Sequence, residues 1–169
     1  WQDSEETASG RGADYGQLVH QILEQTINAV LPEDVGGYIQ ALVEREEQDP
    51  ENATHAIEAL DRFRSSEIWQ EIQASKQTYT EVDFAKTEAF LGQTEIARGR
   101  IDLVYRVMGG WKIVDFKTDR AGSPAEIEAI RNRYGDQVRA YVRYWADLAG
   151  QRVKSSGLWA TGPGVWIEV

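Results

Sequence analysis

Asp102, Asp115 and Lys117 are the residues of this 169-residue chain whose types and spacing can do chemistry together. They sit in two alternating runs, residues 101–107 and 111–117, that flank Gly109-Gly110 and read as the arms of a β-hairpin. With those two glycines as the loop, Met108 pairs with Trp111, Asp102 falls opposite Lys117, and Asp115 falls opposite Val104. Paired residues share a face and side chains alternate, so all three functional groups project from one side of the sheet. A four-residue loop keeps that convergence, whereas a three-residue loop sends Asp102 to the other face. Two neighbouring carboxylates make a site for a hard divalent cation, and a lysine beside them can orient or deprotonate water and offset phosphate charge. The set suits phosphodiester hydrolysis, which needs an attacking hydroxide, a cation and help for the departing oxygen. A cross-strand ion pair is the plainer account of Asp102 and Lys117. Asp115 weighs against it, because it interrupts the apolar run 111–116, where a carboxylate without a purpose is costly.

The elements that must position these groups follow from the periodicity. Tyr15, Leu18, Val19, Ile22, Leu23, Thr26, Ile27 and Val30 recur at helical steps, with His20 at the shoulder of the stripe beside Gly16 and Asp14/Gln17 resembling a capping box. From Pro32 to about Ser75 the spacing predicts two or three short amphipathic helices with acidic faces, broken near Asp49-Pro50. The period then changes to two. A strand over 78–85 precedes the hairpin, a helix over Pro124–Ala149 follows it, and strands over Val153–Ala160 and 165–169 flank a Gly-Pro-Gly turn. That helix carries Ile127, Ile130, Tyr134, Val138, Tyr141, Trp145 and Leu148 on one stripe, and Gln137 and Tyr141 lie one turn apart on a common face. The expected architecture is α/β: a mixed, mostly antiparallel central sheet flanked by helices, with the long helix covering the catalytic face. Residues 1–13 read as a flexible arm and 14–169 as one domain.

Composition narrows the chemistry further. The absence of cysteine excludes disulfides, thiol catalysis, Cys-ligated zinc and a cysteine-held iron–sulfur cluster. No apolar stretch approaches the ~20 residues of a membrane span, and the amino terminus lacks the basic-then-apolar order of a signal peptide. A soluble protein with no membrane partner is expected, and the start at Trp1 suggests a fragment of a longer chain. The net charge of −10 hides an asymmetry. Residues 1–97 carry 6 basic and 20 acidic side chains, whereas 98–154, which hold the candidate site, carry 12 basic and 7 acidic. The basic half is the part suited to a polyanion.

Gly99-Arg-Ile-Asp102-Leu-Val followed by Trp111-Lys-Ile-Val-Asp115-Phe-Lys117-Thr-Asp-Arg120 closely resembles the core motif of the PD-(D/E)XK nuclease superfamily, specifically the RecB/AddA-like nuclease domain of bacterial helicase–nucleases. The resemblance implies a restriction-endonuclease-like core in which Asp102, Asp115 and the Phe116 carbonyl bind Mg2+, with Mn2+ able to substitute, and Lys117 is catalytic. Two further segments are similar to family motifs. Gly16 to Glu24 matches the helix whose histidine, here His20, approaches the metal, and Gln137-Val-Arg-Ala-Tyr141 matches a Q-x-x-x-Y motif that borders the site and contacts DNA. Glu81-Val-Asp83-Phe84 departs from the family's Glu-x-Pro-Phe, leaving Glu81 as a possible accessory acid. The four-cysteine iron–sulfur clamp of many relatives cannot form, so the chain resembles the clusterless branch. Arg100, on the Asp102 face by alternation, offers a phosphate contact, as do Arg98, Arg106, Lys112, Arg120, Arg139 and Arg143. Trp111 shares that face and is expected to pack against a helix. The implied activity is that of a deoxyribonuclease on single-stranded DNA fed by helicase domains of the same or a partner chain, in bacterial cytoplasmic double-strand break repair and recombination. The alternative is an inactive DNA-binding module of the same fold, or a protein-docking one that uses the acidic segment 32–75.

Overall fold

Four helices precede the sheet in the structure, a computed structural model that describes residues 12–90, 93–119 and 121–169. The arm expected over residues 1–13 lies outside the described residues up to residue 11, as does Arg120. Helix α1 (Ala13–Ile27) buries the stripe from Tyr15 to Thr26. Its cap is Gly12, at φ 91°, so Asp14 lies in the first turn, where its charge complements the helix dipole, and caps nothing. Helix α2 (Val35–Arg45) starts where Asp34 accepts the Gly37 N–H, α3 (Glu51–Arg64) follows Pro50, and α4 (Glu67–Ala74) starts where Ser66 accepts the Trp69 N–H. The segment expected to hold two or three helices thus holds three. Ile39, Leu42, Leu60 and Phe63 of this layer join the α1 stripe against Leu103, Tyr105, Val114, Phe116 and Trp159 on one face of the sheet.

The sheet comprises β1 (Thr78–Phe90), β2 (Gln93–Val107), β3 (Gly110–Lys117), β4 (Val153–Ala160) and β5 (Val165–Glu168), in that spatial order. Every pairing is antiparallel except β3 with β4, which are parallel and joined by the crossover helix α5 (Pro124–Ala149). Ser123 caps α5, with Pro124 in its first turn, and Gly150 ends it in the left-handed conformation. Val138, Tyr141 and Trp145 of α5 cover the other face of the sheet, against Val104, Trp111, Ile113 and Leu158. Trp111 packs edge-on against Trp145, as expected, with ring centroids 5.1 Å apart. This is the mixed, mostly antiparallel sheet between helices that the sequence predicts. No helix among the described residues is long and apolar enough to cross a membrane.

The hairpin differs from expectation by two residues of register. Val107 pairs with Gly110, so the loop is Met108-Gly109, with Gly109 at φ 85°. The two glycines have separate reasons. Gly109 supplies the left-handed turn position. Gly110 is already in the strand, where a Cβ would lie 2.6 Å from the carbonyl oxygen of Arg152 in the approach to β4. A shift of two preserves side-chain parity, so Asp102, Asp115 and Lys117 keep their common face while the pairing changes.

Candidate active site

Extended one step beyond Leu103–Val114, the observed register sets Asp102 directly across from Asp115 instead of across from Lys117. Asp102 Oδ2 accepts the Phe116 backbone N–H at 2.6 Å. Both acids are buried, Asp115 almost completely. Lys117 Nζ lies 3.1 Å from Asp115 Oδ2, and the Lys117 carbonyl accepts hydrogen bonds from the backbone N–H and hydroxyl of Thr161 at the end of β4. The end of β3 is therefore fixed from both sides.

Helix α1 delivers His20 to the same place. Its Nε2 donates to the Phe116 carbonyl at 3.0 Å, and its Nδ1 lies 3.6 Å from Asp102 Oδ1. Opposite Asp102 on β1, Glu81 takes φ 51° and breaks the ladder between the Thr80–Leu103 and Val82–Ile101 pairs. One ligand atom each from His20, Glu81 and Asp102 lie within 4.8 Å of one another. The histidine, accessory acid, first aspartate and backbone carbonyl named from sequence are thus brought together.

The electrostatics describe a site with surplus negative charge. Burial raises the Asp102 pKa above the usual carboxylate range, and Asp115 adds to this against the opposing pull of His20 and Lys117. Burial also raises Glu81, with Asp102 pushing the same way. For Lys117 burial favours the neutral amine, but Asp115 and Asp102 outweigh it and hold the group as an ammonium. Asp115 Oδ2 is buried and receives no well-directed hydrogen bond, despite the nearby Lys117 nitrogen. The distance establishes the ion pair; the missing direction leaves acceptor capacity unused. A buried carboxylate oxygen whose near neighbour is an ammonium, beside a second buried acid and with a carbonyl and an imidazole at hand, belongs to a donor set that fits a hard divalent cation.

From α5, the Gln137 side-chain amide donates to the Tyr141 hydroxyl at 2.6 Å. Burial, then the charges of Asp115 and Asp102, hold that phenol protonated, and Tyr141 packs on the sheet face that carries Ile101, Val104 and Ile113. Arg100 is engaged by Asp83 at 2.7 Å and Glu81 at 3.3 Å, so the residue that stands where the family has proline serves as its partner. Lys112 pairs across from Tyr105, on the face away from α5, and is held by Glu71 at 2.8 Å. It is not brought to the site. One neighbour escapes the sequence reading. The Tyr134 ring lies 4.5 Å from Lys117 Nζ, and its hydroxyl bonds Asp119. Its place on the apolar stripe of α5, one and two turns before Gln137 and Tyr141, gave no signal that separates it from its core neighbours.

The chain is similar to known proteins over most of its length. The A subunit of the ATP-dependent helicase/nuclease of Acetivibrio thermocellus is 28% identical over 155 residues, covering 84% of this chain and 12% of that protein. Its counterpart of the same name in Moorella thermoacetica is 28% identical over 173 residues, covering 93% of this chain and 12% of that one. This chain therefore spans about an eighth of the length of these curated relatives. Among solved structures, the crystal structure of SSO0001 aligns at a TM-score of 0.41 and 14% identity over 94% of this chain and 77% of that one, a likeness too distant to argue from. The model of the PD-(D/E)XK nuclease superfamily matches residues 2–166, nearly the whole sequence, and the chain belongs to that superfamily.

Proposed function

We propose that this chain is a metal-dependent deoxyribonuclease domain that hydrolyses phosphodiester bonds. Asp102, Asp115, the Phe116 carbonyl and His20 are the ligands for Mg2+ or Mn2+, and Glu81 is an accessory acid. The observation that carries the reading is the buried Asp115 oxygen without a directed hydrogen bond, beside Asp102 and Lys117. When bound, the ion supplies Lewis acidity and lowers the pKa of a coordinated water. Lys117 orients the attacking water and offsets charge on the phosphate, while Gln137 and Tyr141 border the substrate and Arg100 contributes positive charge at the rim.

The names of the relatives support a wider setting, in which residues 14–169 form the nuclease domain of a bacterial cytoplasmic helicase–nuclease. Helicase domains would feed it single-stranded DNA during double-strand break repair and recombination.

The test is cleavage of labelled single-stranded and duplex DNA by the purified protein with Mg2+, Mn2+ or EDTA, alongside Asp115→Ala and Lys117→Ala. Metal-dependent cutting lost in both variants is the expected result. No cutting together with no calorimetric metal binding overturns the reading in favour of a DNA-binding module.

A further inference from the structure

We infer that Tyr134 is a positioning residue for Lys117, holding its ammonium against a ring face that Asp119 orients. The inference rests on the nuclease reading for its catalytic meaning, but its geometry stands alone. Lys117 Nζ lies 4.5 Å from the Tyr134 ring centroid, within cation–π range, and Lys117 is 7% exposed, so little water screens the contact. The Tyr134 hydroxyl donates to the Asp119 carboxylate, whose oxygens lie 3.1 and 3.3 Å away. Arg133 closes on the same carboxylate at 3.5 Å. Asp119 is two residues beyond Lys117 on the chain leaving β3, so one short segment supplies both the ammonium and the group that fixes the ring facing it.

Lys117 needs such a support. Its flexible four-carbon stem leaves the ammonium free to swing, and its charged anchor, Asp115 at 3.1 Å, belongs to the acid pair assigned to the cation. Positive charge placed on that carboxylate weakens its hold on a neighbouring ammonium. A ring face attracts the ammonium through its quadrupole and offers a metal no carboxylate, so it steadies Lys117 without competing for the ion. Nothing in the hydrophobic stripe of α5 sets Tyr134 apart from its neighbours; the ring takes its role from the strand it faces.

The test compares Tyr134→Leu and Tyr134→Phe, with Tyr134→Met as the second ring-less variant should leucine unfold the protein. In NMR spectra the Lys117 ε-methylene, assigned by its loss in Lys117→Arg, is expected upfield in the wild type and in Tyr134→Phe, and near the ordinary lysine position without the ring. In steady-state cleavage the ring-less variant is expected to lose about tenfold in kcat, the order of one desolvated cation–π contact, with KM and Tm little changed. Tyr134→Phe, which keeps the ring face but loses the bond to Asp119 that orients it, restores part of that rate. An unshifted wild-type methylene overturns the inference, as does a phenylalanine variant as slow as the leucine one. A wild type that cleaves nothing sinks the nuclease reading instead, and the NMR arm still decides the placement of Lys117.

Discussion

His20 Nε2 lies 3.0 Å from the carbonyl oxygen of Phe116, so a helix at the start of the chain holds a backbone acceptor at the heart of the sheet. The same ring stands 3.6 Å from Asp102, whose other oxygen takes the Phe116 N–H. One peptide segment is thus gripped on its donor and its acceptor, from β2 and from α1. His20→Ala leaves the carbonyl without this partner and removes positive potential from Asp102. We expect a loss of about 1–2 kcal/mol, or roughly 2–8 °C in Tm, and at least tenfold weaker Mg2+ binding by calorimetry. Undiminished Mg2+ affinity in the variant would remove His20 from the ligand set.

The hairpin makes a prediction that separates its two glycines. Gly110→Ala drives a methyl to 2.6 Å from the Arg152 carbonyl oxygen, a backbone atom that cannot swing away, and should cost about 1–3 kcal/mol. Gly109→Ala meets only the end of the Arg152 side chain but must adopt φ 85°, which costs about 1–2 kcal/mol. Urea melts should show each variant destabilised, Gly109→Ala through the turn and Gly110→Ala through the approach to β4, and asparagine, which tolerates the left-handed region, should recover stability at 109 and not at 110. Recovery at 110 instead would restore the Gly109-Gly110 loop read from the sequence.

That register error marks where local reading ends. Alternation in 101–107 and 111–117 fixed the faces of the strands, and the helical stripes located α1 and α5, because each pattern reports burial within its own element. The choice of loop depended on Arg152, more than forty residues away, through a strand pairing no local pattern contains. The site behaves the same way. Two acids and a lysine on one hairpin are legible by parity, whereas His20 looks like any histidine at the edge of an apolar stripe until Phe116 is placed beside it. Tyr134 hid for the opposite reason: it satisfied the stripe of α5, and its meeting with Lys117 arises only after the crossover returns to the sheet.

On the far face of the sheet, Glu71 accepts from the Tyr105 hydroxyl and from Lys112. Burial alone would raise its pKa, but the hydrogen bonds from Lys112 and Tyr105 outweigh that and hold it below the ordinary glutamate value. A depressed folded-state pKa contributes stability that is present above the unfolded value and lost as pH falls through the folded one. Stability from urea melts should therefore decline between roughly pH 5 and 3, and Glu71→Gln should make that decline shallower while lowering stability at pH 7. The effect is small because the carboxylate is partly exposed to water. Identical slopes in the two proteins would show that the contact carries no linkage.

Gly99 opens the Gly-Arg-Ile-Asp motif, and the structure gives it a steric reason to be glycine, since a Cβ there would stand 2.7 Å from the ring of Phe84. That ring cannot easily retreat, because it stacks on Tyr144 at 4.5 Å and meets Tyr141 edge-on at 5.6 Å. Gly99→Ala should push Phe84 into α5 and disturb Tyr141, at a cost of about 1–3 kcal/mol. Phe84→Ala loses the aromatic contacts but makes room for the new methyl. The double variant should therefore be less destabilised than the sum of the two single changes, by about 1 kcal/mol or more, the range expected for residues in direct contact. A double-mutant cycle from chemical denaturation measures this. If the two changes are additive, Gly99 is not there for Phe84. If they couple, the glycine that begins the motif keeps β1 close enough for α5 to close over the acids.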